Sequence, residues 1–186
     1  MRSVLFASAA ALLAAAPAFA TEIEIDVAGE ASGTVVVDLF EDVAPNHVAR
    51  ITELAESGAY DGVVFHRVIP GFMAQTGDVQ HGREGGDLAL AGTGSSELPN
   101  LDAEFSDRSF ERGVVGMARS SDPNSANAQF FIVFEPAPHL DGQYTVVGQV
   151  VEGMDVVDAI KKGSAARNGA IEGTPDRMEA VRVVAD

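Results

Sequence analysis

The sequence predicts a mostly β domain, either a closed barrel or a sandwich, on three observations. Eight short β-rich runs are spread over residues 21–184, Gly, Pro, Asn and Asp punctuate them, and only two stretches carry helical periodicity. Thr21 to Val27 sets Ile23, Ile25 and Val27 against Glu22, Glu24 and Asp26, the period of two that marks a half-buried strand. The other runs are Thr34 to Phe40, Val63 to Ile69, Phe72 to Thr76, Val114 to Ala118, Phe130 to Phe134, Thr145 to Val151 and Ala180 to Val184. From Pro45 to Ser57, Val48, Ile51, Leu54 and Ala55 recur at helical spacing, and Gly58 supplies a stop. Met154, Val157 and Ile160 do the same from Met154 to Lys162, where Lys161, Lys162 and Gly163 suit a helix C-terminus. Both helices are amphipathic, so each is expected to cover an open end of a barrel. Gly82 to Leu98 is rich in Gly and Ser and reads as a long surface loop.

Residues 1–20 are expected to lie outside this domain. Arg2, an alanine-rich apolar run of thirteen residues from Val4 to Ala16, and Ala18-Phe19-Ala20 have the layout of a secretory signal peptide. Thirteen apolar residues fall short of the roughly 20 that span a bilayer. Cleavage after Ala20 would leave residues 21–186 as one exported domain, with no membrane attachment and a periplasmic address. That domain carries 11 cationic against 28 anionic residues, a net charge of −17.

Composition removes several function classes. A chain with pI near 4.4 and no basic run is not a generic nucleic-acid binder, because a phosphate backbone is neutralised by clustered Lys and Arg. With no cysteine, disulfide frameworks, thiol nucleophiles and thiolate metal sites are excluded together. No G-x-S-x-G elbow, H-E-x-x-H pair or P-loop occurs, and Gly92-Thr93-Gly94 reads as a turn. His47, His66, His81 and His139 show no i, i+4 pair, so no metal site is expected. An acid and base carboxylate pair could hide among the 28 acidic residues, but nothing singles one out.

Two segments carry the chemistry. Val63 to Asp78 reads V-V-F-H-R-V-I-P-G-F-M-A-Q-T-G-D, with Arg67 inside an apolar strand. A cation there is costly unless it is paired or faces a cleft. In Ala126 to Phe134, the adjacent Phe130 and Phe131 must point to opposite faces of a strand, so one is expected to fill the core and the other is either exposed or lines a pocket.

F-H-R-V-I-P-G-F-M-A-Q-T-G-D at Phe65 to Asp78, Q-F-F at Gln129 to Phe131 and L-D-G-Q-Y-T-V-V-G-Q-V at Leu140 to Val150 resemble a cyclophilin, a peptidyl-prolyl cis/trans isomerase. The similarity runs from about Glu22 to Val184. It implies a closed eight-stranded antiparallel barrel capped by two α-helices, with an active site on the outer face. It also implies roles: Arg67 as the catalytic arginine, Phe72 and Met73 as pocket wall, Gln75 as an anchoring amide, Phe131 as pocket floor and Leu140 as a further pocket residue. Ala118, in Gly116-Met117-Ala118-Arg119, matches the residue whose backbone pairs with bound peptide, a form of strand addition. His139 stands where many eukaryotic members carry tryptophan, Tyr144 where a pocket histidine is common, and Arg119 where asparagine is common. All three are expected at the substrate-binding surface.

The implied reaction suits these residue types. Rotation about an Xaa-Pro bond breaks no covalent bond and needs no nucleophile, cofactor or metal. The expected partners are proline-containing polypeptides, met by a monomer that assists folding and acts weakly as a chaperone. Two other readings are compatible with the strands alone: a peptide-binding module without turnover, and a hollow barrel holding a small apolar ligand.

Overall fold

The computed structural model describes residues 21–185, so the export signal read at 1–20 lies outside the described residues. Strands β1 (Thr21–Ala28) and β2 (Gly33–Leu39) form an antiparallel pair with Ile23 opposite Val37 and Ile25 opposite Val35. This register points the branched residues inward and Glu22, Glu24 and Asp26 outward. After helix α1 (Pro45–Glu56) come β3 (Val63–Val64), β4 (Arg67–Ile69) and β5 (Met73–Thr76). Strands β6 (Val114–Met117), β7 (Phe130–Val133) and β8 (Val146–Glu152), helix α2 (Met154–Ala159) and β9 (Arg177–Ala185) complete the chain. The sheet is antiparallel throughout, in the order β3-β9-β1-β2-β8-β6-β7-β5-β4.

Eight expected strands become nine because the run Val63 to Ile69 divides. Its first half pairs with β9 and its second with β5, at opposite ends of the sheet. Phe65 and His66 make the bend between them. There Phe65 N donates to Asp176 O at 2.8 Å, and Thr76 Oγ1 donates to Val64 O at 3.0 Å. The ring is therefore closed by the covalent chain at this bend and not by a ladder between β3 and β4. The last strand also begins three residues earlier than expected, since Met178 is buried opposite Val27 and Val63. Helix α2 stops short of Lys162: Ile160 turns to extended backbone, and Lys161 N is captured by Asp176 Oδ2 at 2.7 Å.

The interior is filled by Ile23, Ile25, Val35, Val37, Phe65, Phe130, Ile132 and Val181. Val48, Ile51 and Leu54 of α1 and Val157 of α2 join the same cluster, so the helices do extend the barrel core. A hollow, ligand-carrying interior is thereby excluded. Tyr60 lies fully inside and donates to Ala128 O at 2.8 Å, and burial pushes its phenol well above the ordinary value.

The long loop after β5 is tied down by one carboxylate. Asp78 is buried and accepts from the backbone N–H groups of Gln80, His81, Gly92 and Gly94 at 3.1, 2.8, 2.7 and 2.9 Å. Burial alone would raise its carboxyl, but the four N–H donors outweigh that and hold it below the usual carboxylate range. The Gly92-Thr93-Gly94 turn is the part of the loop that this anchor folds back onto the barrel.

Candidate active site

The barrel register lays a row of residues across four neighbouring strands on the outer face. Arg67 on β4 is opposite Gln75 on β5, Gln75 is opposite Phe131 on β7, and Phe131 is opposite Gly116 on β6. Because side chains alternate across a strand, the residues flanking this row, such as Ala74, Phe130 and Ile132, point into the core instead. The missing side chain at Gly116 gives the row its shape. A Cβ there would come within 2.6 Å of Phe110 Cε1 and 2.7 Å of Phe131 Cζ, so only glycine lets both rings settle onto the sheet.

Phe131 is held from two sides. Phe110 stacks against it with centroids 5.7 Å apart, and Tyr144 meets it edge-on at 5.8 Å and 85°. Met73, Phe110, Val133, Ala137, Leu140 and Val146 join it in a second apolar cluster, separate from the interior one, with Phe72, Ala118 and Tyr144 at its margin. Above this floor opens a pocket of about 150 Å³ lined by Arg67, Phe72, Met73, Gln75, Ala118, Arg119, Phe131, Leu140 and Tyr144. Every site residue singled out in the sequence lines it except His139. That ring is exposed and tilts against Phe72 at 5.3 Å, on the rim.

Arg67 lies at the mouth, half-buried, and no carboxylate comes within ion-pair distance of it among the described residues. Its guanidinium is aimed by amides. Nη1 donates to Gln75 Oε1 at 3.0 Å, Nη2 to Asn168 Oδ1 at 2.9 Å, and Nε to Asn168 O at 3.1 Å. Five N–H donors against three oxygen partners leave donors for a ligand. Burial lowers its pKa from the ordinary value, yet a guanidinium stays charged at any physiological pH. Gln75 in turn donates to Gln129 Oε1 at 3.0 Å, and Gln129 donates to Gly94 O at 2.8 Å. A chain of hydrogen bonds thus runs from Asn168 through Arg67 and two glutamines to the loop that Asp78 anchors. Both polar groups of Gln75 take part in this chain, each with one further hydrogen-bonding position.

Ala118 N donates to Gln129 O at 2.9 Å. Arg119 is partly exposed and held in place by its neighbours. It lies 4.4 Å over the Tyr144 ring and donates to Gln143 O from Nε at 3.1 Å and Nη2 at 2.8 Å. Three contributors escaped the sequence reading: Asn168, Gln129 and Phe110. Gln129 sat inside the Gln-Phe-Phe motif without a role. Asn168 and Gly169 form a turn dipeptide, and the left-handed backbone of Asn168 (φ 53°) turns the chain back toward Arg67.

His66, beside the arginine, is the other group perturbed here. Neither ring nitrogen has a hydrogen-bond partner, and the ring packs where a Cβ on Gly92 would come within 3.0 Å of Cδ2. Burial pushes its pKa down to about 4, against the opposing pull of the Asp78 charge. It is a neutral ring at neutral pH.

Residues 22–183 match the family described as cyclophilin type peptidyl-prolyl cis-trans isomerase/CLD. The chain is 60% identical over 156 residues to a probable peptidyl-prolyl cis-trans isomerase of Brucella suis biovar 1, covering 83% of this chain and 79% of that one. It is 35% identical over 145 residues to peptidyl-prolyl cis-trans isomerase B of Bacillus subtilis, covering 77% of this chain and 94% of that one. Among solved structures, a cyclophilin from Hirschia baltica superposes with a TM-score of 0.68 at 26% identity, over 86% of this chain and 72% of that one. A Cryptosporidium parvum cyclophilin-type isomerase, solved in the presence of the dipeptide Ala-Pro, shares the fold with a TM-score of 0.72 at 22% identity, over 89% of this chain and 99% of that one. The match spans nearly all the described residues and includes the whole Arg67 to Phe131 row, and the chain belongs to the cyclophilin-type peptidyl-prolyl cis-trans isomerases.

Proposed function

We propose that the reaction runs in the pocket above Phe131, on Xaa-Pro bonds of exported polypeptides, with Arg67 as the catalytic residue. The observation that carries this is a guanidinium with spare donors and, among the described residues, no counter-ion, held at the mouth of an apolar slot. Amide resonance opposes rotation with a barrier of roughly 18–20 kcal/mol. As the bond twists, conjugation is lost and the proline nitrogen regains a lone pair. A donor from Arg67 aimed at that nitrogen is stronger in the twisted state than in either planar one, which is what acceleration requires. Phe72, Met73, Leu140 and Tyr144 would grip the ring and keep water from it, while Gln75 keeps the guanidinium in place. Backbone pairing with the substrate would use the Ala118 carbonyl, because its N–H is already bonded within the barrel.

One preorganised donor contributes about 3 kcal/mol, or on the order of a hundredfold or more in rate. Arg67→Ala is expected to lower kcat/KM on an Ala-Ala-Pro-Phe peptide by that factor while leaving the melting temperature within a few degrees. An unchanged kcat/KM would remove Arg67 from the mechanism. If peptide binds without faster exchange even in the wild-type protein, the site is a binding module that has lost turnover.

The address rests on residues 1–20. Their charged start, apolar run and Ala18-Phe19-Ala20 end support export to the periplasm, and mass spectrometry of the protein from cells tests the Thr21 start. In that compartment the isomerase would meet newly exported chains as a monomer. An apolar pocket open to solvent also supports weak retention of unfolded clients.

A further inference from the structure

Two clefts meet at Arg119. The apolar pocket is one. The other is a polar cleft of about 320 Å³ that shares Gln75, Ala118 and Arg119 with it and is walled by uncharged residues such as Thr93, Ser95 and Ser125. No aspartate or glutamate lines either cleft. In a chain with 28 acidic against 12 basic residues, the groove is therefore a local reversal of sign.

The partners of Arg119 orient it without neutralising it. They are the carbonyls of Gln143 and Ser120, the latter at 2.9 Å from Nη1, and the face of Tyr144. Among the described residues no carboxylate lies within ion-pair distance of it. Asp122, on the same loop as Ser120, accepts from Asn124 N, and Asp78 is buried behind Gly92 and Gly94 with four N–H donors. Arg67 faces the same groove and is likewise without a counter-ion. Two uncompensated cations thus flank the path of a bound peptide.

We infer that Arg119 is a specificity-determining residue that makes this groove prefer polypeptides with an acidic side chain flanking the proline. The inference rests on the isomerase reading of the site. A solvent-screened attraction between unit charges about 6 Å apart gives roughly a threefold gain for Glu over Ala and a similar loss for Lys, so about tenfold between Glu and Lys. The preference shrinks with salt, since the screening length falls from about 10 Å at 0.1 M to about 3 Å at 1 M. It also makes a strongly acidic protein choose acidic sites within its clients, which bulk charge alone would repel.

The test uses acetylated, amidated tetrapeptides with Glu, Ala or Lys on either side of the proline, one position at a time, followed by exchange NMR. The wild-type protein should show a Glu-to-Lys ratio in kcat/KM of about ten in at least one series, falling in 1 M salt. Arg119→Gln should cut that ratio at least threefold, and Arg119→Lys should keep it, which separates charge from the clamp on Tyr144. A wild-type ratio near one, or a ratio unchanged in Arg119→Gln, overturns the inference. The same spectra report binding. No exchange on any peptide defeats the isomerase reading, while the Glu-to-Lys ratio of binding constants still decides the charge preference.

Discussion

Along β7 the alternate residues serve two different parts of the molecule. Phe130 and Ile132 enter the interior cluster, which strands and helices close on every side, whereas Phe131 and Val133 enter a smaller cluster outside the barrel. The neighbouring strand repeats the division, with Ala74 inside and Met73 and Gln75 outside. An apolar ring enclosed on all sides stabilises the fold. The same ring with one face left open holds a ligand. Strand parity, more than residue type, decides which.

The sharpest way to break that contrast is to truncate the two adjacent rings. Phe130→Ala should cost about 4 kcal/mol of stability by urea unfolding, with kcat/KM per folded molecule little changed. Phe131→Ala should cost less stability, because it belongs to the smaller cluster and borders the pocket, but lower kcat/KM about a hundredfold. Equal penalties in both measurements would refute the division of labour.

His66 sits at the bend between β3 and β4, and its effect is next in size. Its imidazole is neutral in the fold, with a pKa pushed down to about 4, while the unfolded chain takes up a proton near 6.5. The unfolded state therefore binds more protons between these values, and stability falls as pH drops from about 6.5 to about 4, by about 3 kcal/mol in all. His66→Gln should flatten that part of the stability profile relative to wild type, as urea unfolding at pH 7 and pH 4.5 would show.

The smallest effect sharpens the account of the outer face. Asn168→Gly keeps the left-handed backbone and the carbonyl that binds Arg67 Nε, but deletes the amide oxygen that binds Nη2. A loss of about tenfold in kcat/KM, near 1.4 kcal/mol, is expected with the thermal midpoint unchanged. A full-strength enzyme would mean that Gln75 alone aims the guanidinium.

The sequence makes legible whatever depends on short spacing. Alternation in Thr21 to Val27 and the opposed Phe130 and Phe131 follow from the period of a strand, and the Arg67 to Asp78 motif places one wall of the pocket within twelve consecutive residues. What it hides depends on chain crossings. Asn168 is 101 positions from Arg67, so no local pattern joins them. The split of Val63 to Ile69 is equally silent, because no Gly, Pro, Asn or Asp interrupts the run and only the pull of Asp176 and Thr76 divides it. Asp78 was one carboxylate among 28 until the backbone brought four N–H groups to it.

The bend at Phe65 and His66 leaves the sheet with two terminal strands, and both are fenced. Along β3, Val64 N donates to Gly82 O and Glu84 N to Gly62 O; along β4, Val68 N donates to Gly169 O and Gly163 N to Val68 O. Unsatisfied strand margins template fibrils. The isomerase thus presents its apolar slot on the face of a sheet whose two margins are already taken up by its own chain.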